Sequence, residues 1–398
     1  MGEILPMFSL ASRWLTKLWH AIVPWVAIHV FKLSGPVTVY PEVNGSGDTT
    51  LDYIEVLCHV VAAAFATLAW SVLDRNRSDY RRLNSWLRTF VRYMLALILF
   101  SYGFAKVIPT QFIFPGFTKL IEPLGDFSPM GLLWYFMGYS TPYIMFSGAA
   151  EVTGGALLLF RRTTTLGAMV SFGVLTNVVM LNFCYDVPVK LFSTHLLLMS
   201  VFLMAPDLGR LVNFLVLNRP VRPVNLGAPI DVRWMRIAKI SVKVLIIGYA
   251  LFSTVKGSWN IYNQFIIGAP KPPLYGLYDV ETFVRNGHEV PPLLTDRQRW
   301  RRVIVQAPGA LSVRLMDDSP IGYSTDYSGG KDQVVVKRPS DQTTVAVLAY
   351  SWPDADHVVL QGTIAGDPVV IKLRKVDLSK FLLVNRGFHW INERPFNR

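Results

Sequence analysis

Cysteine and charge are both scarce in this sequence, and each scarcity excludes a class of protein. The chain has 398 residues and two cysteines, Cys58 and Cys184. Two cysteines cannot build a disulfide framework, and they lack CxxC and zinc-ligand spacing. We therefore expect neither a metal site nor a thiol relay within this chain. A single bridge between Cys58 and Cys184 stays open if the fold places both at one face.

The low share of charged residues accompanies long apolar runs. Charged residues make up 17% of the chain and hydrophobic residues 52%, and the mean hydropathy is +0.34, which is more apolar than a soluble domain of this length. Several runs approach the roughly 20 residues that a helix needs to cross a bilayer. The segment MGLLWYFMGYS, residues 130–140, is shorter and predicts a re-entrant or interfacial helix. We place about seven spans at residues 15–34, 51–73, 89–108, 141–160, 164–184, 189–206 and 237–256.

The cations follow the loops in alternation. Lys and Arg are concentrated after the second span, at Arg161 and Arg162, and from Arg210 to Arg236, whereas the intervening loops carry few of them. By the positive-inside rule this predicts a cytoplasmic N-terminus and an extracytoplasmic C-terminus. The first apolar run has no cleavage site and is expected to be retained. We predict a multi-pass protein of the bacterial inner membrane, in contact with lipid and not with nucleic acid.

The sequence changes character after the last span. The stretch GAPKPPLYG, residues 268–276, interrupts both helix and strand. Beyond it, short β-branched runs alternate with turn sequences, which predicts a small antiparallel sandwich or barrel of about six strands. The predicted fold class is therefore a mainly α membrane protein followed by an all-β extramembrane domain. We divide the chain into a two-span region (1–85), a four-helix region (86–207), an amphipathic cytoplasmic connection with the last span (208–257), and the β domain with its tail (258–398).

Polar residues within or beside the spans are the candidate site. An ionisable group inside a bilayer costs roughly 2.5–3.5 kcal/mol on insertion scales, so it usually faces the bundle interior or a watered cavity. Glu151 shares one helix face with Gly148 and Gly155, where small residues let a second helix approach. Glu151 and His195 are the candidates for proton handling. The candidate lining residues of an outward-facing cavity are Lys106, Gln111, Asn177, Asn182, Asp186 and Lys190.

Each of these residues also has a structural interpretation. A carboxyl among glycines is compatible with packing alone, and asparagines join membrane helices through hydrogen bonds. Lysines near span ends commonly extend toward the interface. A solitary histidine near a helix end is commonly a satisfied core or interfacial residue.

The segments from Arg92 to Asp207 carry a family resemblance. RYMLALILFSYGFAKV, EVTGGALLLFRRTTTLGA, NVVMLNFCYDVPVKLFSTHLLLM and LMAPD together resemble the DoxX-like membrane proteins. The tail LVNRGFHWINERPFNR resembles the ending of a longer subgroup with extra N-terminal spans and a C-terminal β region. The resemblance implies a four-helix membrane bundle and an association with membrane redox or thiol-stress complexes. It supplies no catalytic motif to transfer.

Three functions remain open at this stage. The first is a redox-associated protein that binds a quinone or similar small molecule, or that serves as an accessory subunit of an oxidoreductase complex. No haem, iron–sulfur or dinucleotide motif is present, so an electron carrier would be a dissociable quinone or belong to a partner. The second is a non-enzymatic scaffold that binds an extracytoplasmic partner through the β domain. The third is a small-solute carrier, for which no inverted repeat is evident.

Overall fold

The computed structural model describes residues 6–33, 45–221, 223, 232–330 and 332–397, with side chains at all of these except 6–15, 236 and 239. The chain divides into two compact units. The helical unit comprises Met1–Phe112 and Ser128–Tyr262, and the barrel unit comprises Ile113–Phe127 and Asn263–Arg398.

Eleven α-helices are present in the described residues. Two of them, α4 and α11, are single turns of the barrel unit. Their bounds are α1 Pro6–His29, α2 Thr50–Leu73, α3 Arg81–Val107, α4 Phe117–Leu120, α5 Pro129–Tyr139, α6 Thr141–Leu158, α7 Thr164–Cys184, α8 Lys190–Met204, α9 Leu208–Leu215, α10 Arg233–Ile261 and α11 Leu382–Asn385.

Among the described residues, five helical segments are long and apolar enough to cross a membrane: Thr50–Leu73, Arg81–Val107, Arg161–Cys184, Lys190–Leu215 and Arg233–Ile267. The chain is thus a polytopic membrane protein, as the hydropathy indicated. The prediction of about seven spans differs from these five at α1 and α6, which form helices near the expected positions. In α6 a carboxylate and several glycines lower the apolarity, and its inner face is buried between α3 and α7.

Helices α3, α6, α7 and α8 pack into a four-helix bundle. Helix α6 contacts α3 and α7, α7 contacts α8, and α8 returns to α3. Their shared core is built from apolar side chains that include Leu95, Leu99, Leu158, Leu175 and Leu203. Helices α1 and α2 pack on each other around Val23 and Ile54.

Helix α5 occupies the predicted short segment. Its N-cap is Ser128, whose hydroxyl oxygen accepts a hydrogen bond from the Gly131 amide at 3.0 Å. Pro129 follows in the first turn, where the missing amide proton costs nothing.

The barrel unit contains a single antiparallel sheet of nine strands. Pairing of β1 with β9 closes β1 and β3–β9 into an eight-stranded barrel, while the two-residue β2 pairs with β1 alone. The strands are β1 Gly276–Arg285, β2 His288–Glu289, β3 Trp300–Val305, β4 Ala310–Leu315, β5 Pro320–Asp326, β6 Gln333–Lys337, β7 Thr344–Ser351, β8 His357–Ile364 and β9 Asp367–Lys375.

Side chains fill the barrel interior. In β9, Val369, Ile371 and Leu373 are buried while Lys372 and Arg374 are exposed, which confirms the alternation read from the sequence. The β domain is confirmed, with more strands than the predicted six. The additional strands are β1, β2 and β5, whose sequences have charged or turn-forming residues at places where an apolar alternation would be expected.

The segment 113–127, which follows α3 in the chain, belongs to the barrel unit. Phe117 is buried against Leu277 of β1 and Ile304 of β3, and its amide donates to Gln306 Oε1 at 2.9 Å. The barrel unit is therefore built from two separate stretches of chain.

Candidate functional site

A cavity of about 240 Å³ lies within the helical unit. Its wall is mostly apolar and aromatic, with a small number of polar groups, as in typical small-molecule sites. Helices α3, α5, α6, α7 and α8 contribute to it, and Gly45 from the segment before α2 reaches it as well. The aromatic lining residues are Tyr102, Phe112, Trp134, Tyr143 and Phe192.

A buried ion pair forms the polar centre of this cavity. Lys106 Nζ lies 2.9 Å from Glu151 Oε1 and 3.0 Å from Glu151 Oε2. The Lys106 side chain is 8% exposed and the Glu151 side chain 3%. Lys106 therefore reaches across to α6 and does not extend to the water interface. Both residues line the cavity, so a ligand there would meet an ammonium and a carboxylate together.

Two glycines bring the helices close enough for this pair to form. A Cβ on Gly148 would lie 2.5 Å from the Gly103 carbonyl oxygen and 2.8 Å from the Val107 amide nitrogen. A Cβ on Gly103 would lie 2.9 Å from the Gly148 carbonyl oxygen. Both clashes involve backbone atoms that cannot rotate away. The predicted role of small residues beside Glu151, which is to admit a neighbouring helix, is confirmed.

Gln111, Asn177 and Asn182 also line the cavity. The Oε1 atom of Gln111 is buried and has no hydrogen-bond partner among the described residues. Asn182 donates from Nδ2 to Ser193 Oγ at 2.9 Å, which joins α7 to α8. Asn177 is exposed, in contrast to Asn182. The structure thus brings together five of the predicted residues: Lys106, Gln111, Glu151, Asn177 and Asn182.

Asp186 lies in the turn between α7 and α8 and Lys190 is the first residue of α8; both are outside the cavity lining. Lys190 Nζ pairs with Asp186 Oδ1 at 2.7 Å. Asp48, which precedes α2, accepts hydrogen bonds from the Lys190 and Leu191 amides at 2.7 and 2.9 Å. Asp48 thereby caps the N-terminus of α8, where a carboxylate is favourable.

His195 is also outside the lining. Its side chain is exposed, and its Nδ1 lies 2.7 Å from the carbonyl oxygen of Leu191 one turn earlier. His195 lies two residues after Ser193, the partner of Asn182, and therefore on a different face of α8. Proton handling by His195 remains a prediction without a partner in this cavity.

Two contributors were missed at the sequence level. Tyr102 lines the cavity, and its ring centroid lies 5.7 Å from Lys106 Nζ, in cation–π range. Its position one turn before Lys106 on α3 was the available signal. Asp48 gave no local signal, since its partner helix lies 142 residues away.

The described parts of the chain contain no group of three or more His, Cys, Asp or Glu side chains that could hold a metal ion. Cys58 on α2 and Cys184 at the end of α7 are free, so the bridge left open above is not formed.

Comparison with known proteins gives a bacterial relative. No family model matches the chain, and no solved structure matches it significantly. The chain is 37% identical over 116 residues to the uncharacterized protein YwoB of Bacillus subtilis (strain 168), a match that covers 29% of this chain and 73% of that protein. The match spans more than two thirds of the relative. The chain therefore belongs to the same family as YwoB.

Proposed function

We propose that the bundle cavity binds the headgroup of a quinone or a chemically similar small molecule, and that the protein is a redox-associated, DoxX-like membrane protein. The observation that carries the proposal is the buried Lys106–Glu151 pair inside an otherwise apolar and aromatic cavity. Buried charges are costly unless they are satisfied, and a membrane bundle could close here with apolar residues instead. The presence of the ion pair in this cavity favours a role in binding.

The polar groups match both forms of such a headgroup. An ammonium has three donor protons, and Glu151 accepts from Lys106 through two oxygens. A remaining donor can serve a ligand carbonyl oxygen. Gln111 Oε1 is a buried acceptor without a partner among the described residues, and it can accept from a ligand hydroxyl. A quinone offers carbonyls and its reduced form offers hydroxyls, so the cavity has a complement for each.

The size and wall of the cavity also suit a ring. Its volume of about 240 Å³ is slightly below the range of about 300–1,000 Å³ for small-molecule pockets. That volume suits an aromatic headgroup better than a whole isoprenoid molecule. The rings of Trp134, Tyr102 and Phe112 border it, and flat rings favour stacked or edge-on contacts with a planar ligand.

The proposed orientation places the N-terminus in the cytoplasm of a bacterial cell, and the cavity toward the outer face of the inner membrane. The distribution of Lys and Arg in alternate loops supports it. The barrel unit contains both the segment after α3 and the segment after α10. Two parts of one packed unit lie on the same side of the membrane only if an even number of helices cross between them, so the proposed orientation counts α6 as a crossing together with α7, α8 and α10.

A second function has an observation of its own. The C-terminal tail carries Phe388, Trp390 and Ile391 with side chains almost fully exposed. Exposed large apolar residues in succession favour a protein contact. In that case the protein would be a scaffold with a partner at its barrel unit, and a quinone would have no specific site.

The test is quinone binding to the full chain in lipid nanodiscs, measured by calorimetric titration with a short-chain ubiquinone. Heat from partition into empty nanodiscs is subtracted. The double variant Lys106→Met/Glu151→Leu replaces the ion pair with apolar side chains of similar volume. The variant Gln111→Leu removes the unpartnered hydrogen-bond acceptor. Loss of a charge-assisted hydrogen bond predicts about tenfold weaker binding or more for the double variant.

His195→Gln is the matched control, because His195 carries a titratable ring on α8 outside the cavity lining. It should bind as the wild type does. Equal affinity in the wild type and the double variant would refute the cavity as the site. Absence of quinone binding, together with a partner that is lost on Trp390→Ser, would favour the scaffold.

A further inference from the structure

A second polar cluster lies near the opposite end of α3 from Lys106. It consists of Arg88 and Arg92 on α3, Arg161 after α6, and Lys243 on α10, and we call it the basic cluster. Arg92 and Lys106 are fourteen residues apart on one helix, which corresponds to about 21 Å along the axis. The basic cluster is therefore distinct from the cavity, and the quinone proposal makes no use of it.

Arg92 is the most buried member of the basic cluster. The residue is 7% exposed. Its Nη1 donates to Thr164 Oγ1 at 3.3 Å, and its guanidinium carbon lies 4.7 Å from the Tyr93 ring centroid. Its Nε atom is buried and has no hydrogen-bond partner in the described structure. The guanidinium is thus surrounded by neutral groups and retains an unused donor.

Lys243 and Arg88 also contact neutral groups, and Lys243 shares the Tyr93 ring with Arg92. Lys243 Nζ lies 5.6 Å from the Tyr93 ring centroid and 5.1 Å from the Phe160 ring centroid, and it donates to the Leu159 carbonyl. Arg88 donates from Nη2 to the Leu203 carbonyl at 3.3 Å, while its Nε is buried and also unpartnered among the described residues. Arg161 is exposed at the edge.

No carboxylate of the described residues pairs with any of these four cations. Asp207 interacts with Arg88 electrostatically at longer range, but its oxygens accept hydrogen bonds from Arg210 at 2.8 Å and from the Thr165 hydroxyl at 2.5 Å. A buried guanidinium without a paired counter-charge is unfavourable. The like charges on Arg88 and Arg161 add to that cost for Arg92. An anion from outside the described residues would reduce it.

We propose that the basic cluster binds the phosphate group of an anionic phospholipid. A phosphate diester offers two oxygens to the guanidinium groups of the half-buried Arg88 and the exposed Arg161, and arginine suits this geometry. Its negative charge would also offset the unpaired charge of the buried Arg92. The cluster lies among segments that cross the membrane, beside exposed apolar side chains such as Phe160, Leu166 and Ile240. Acyl chains can cover those side chains while the headgroup occupies the cluster, so a lipid fits better than free phosphate.

The experiment compares lipid binding to the full chain in detergent, by titration with short-chain phosphatidylglycerol or phosphatidylcholine. Phosphatidylglycerol should bind more tightly. Arg88→Gln and Arg161→Gln should each weaken it by about fivefold, which corresponds to about 1 kcal/mol per surface cation. Arg82→Gln is the matched control, since it removes one exposed cation from the first turn of α3, outside the basic cluster, and it should leave affinity unchanged.

Arg92→Gln should cause the largest loss, but its burial makes misfolding a competing cause. For this reason the proposal is judged on the affinities of Arg88→Gln and Arg161→Gln. Equal affinity for the two lipids, or an equal loss in Arg82→Gln, would overturn the proposal. A separate titration with inorganic phosphate identifies the source. If phosphate alone competes with phosphatidylglycerol at comparable concentration, the lipid assignment is wrong.

Discussion

Replacement of Glu151 by Gln should destabilise the helical unit strongly. The variant keeps the size of the side chain but leaves the Lys106 ammonium without its counter-charge, in a position where both side chains are less than one tenth exposed. Breaking one partner of a buried pair typically costs about 3–5 kcal/mol.

The reverse single variant should be milder. Lys106→Met places an apolar side chain in the mostly apolar cavity wall, whereas Glu151→Gln keeps a polar amide beside the unpaired ammonium. The double variant Lys106→Met/Glu151→Leu removes both charges and places apolar groups in an apolar wall, a change that is often neutral for buried pairs. The sum of the losses in unfolding free energy of the two single variants should therefore exceed the loss of the double variant by about 3 kcal/mol or more.

The free energy of unfolding of each variant can be measured in mixed micelles with increasing denaturing detergent, with helix content as the signal. His195→Gln controls for the general effect of a substitution in the bundle. Two results would show that Lys106 and Glu151 do not form the pair described above. One is that Glu151→Gln has the same free energy of unfolding as the wild type. The other is that the loss in the double variant equals the sum of the losses in the two single variants.

Two further predictions concern other parts of the molecule. Gly148→Ala should destabilise the helical unit by about 1–3 kcal/mol because its Cβ meets backbone atoms, whereas Gly173→Ala, whose Cβ would meet nothing within 4 Å, should be neutral or slightly stabilising in the same unfolding assay. In the barrel unit, hydrogen bonds from Ser328 and then Lys337 lower the pKa of Asp326 from 3.8 to about 2. The ionised Asp326 therefore contributes to the free energy of unfolding above about pH 3.8, and this contribution is lost as the pH falls through about 2. The stability difference between wild type and Asp326→Asn should shrink over that range, and a constant difference would contradict the assignment.

The helices could be predicted from the sequence because hydropathy and length act locally. The partner of Glu151 could not. Lys106 and Glu151 lie on different helices, 45 residues apart in the chain. The close crossing of these helices at Gly103 and Gly148 allows Lys106 to reach Glu151. Lateral proximity of this kind depends on helix packing, which the pattern along one helix does not contain.

The barrel shows the same limit in strands. Runs with β-branched residues or clear alternation, such as β6 and β9, were predicted. Strand β1 pairs with both β3 and β9 and closes the barrel, yet its register shifts between Val280 and Thr282. Such a bulge breaks the two-residue period, and with Asp279 and Glu281 in the strand the apolar pattern is lost. Closure therefore depends on the strand with the weakest sequence signal.

The contribution of residues 113–127 to the barrel unit affects how the protein can be divided. A fragment that begins at Asn263 would lack Phe117, and the surface of Leu277 and Ile304 that Phe117 covers would face water. A soluble version of the barrel would need that short stretch joined to it. Conversely, removal of the C-terminal residues would leave Phe117 and Ile121 without their apolar neighbours in the loop after α3. In evolutionary terms the two stretches are expected to be gained or lost together.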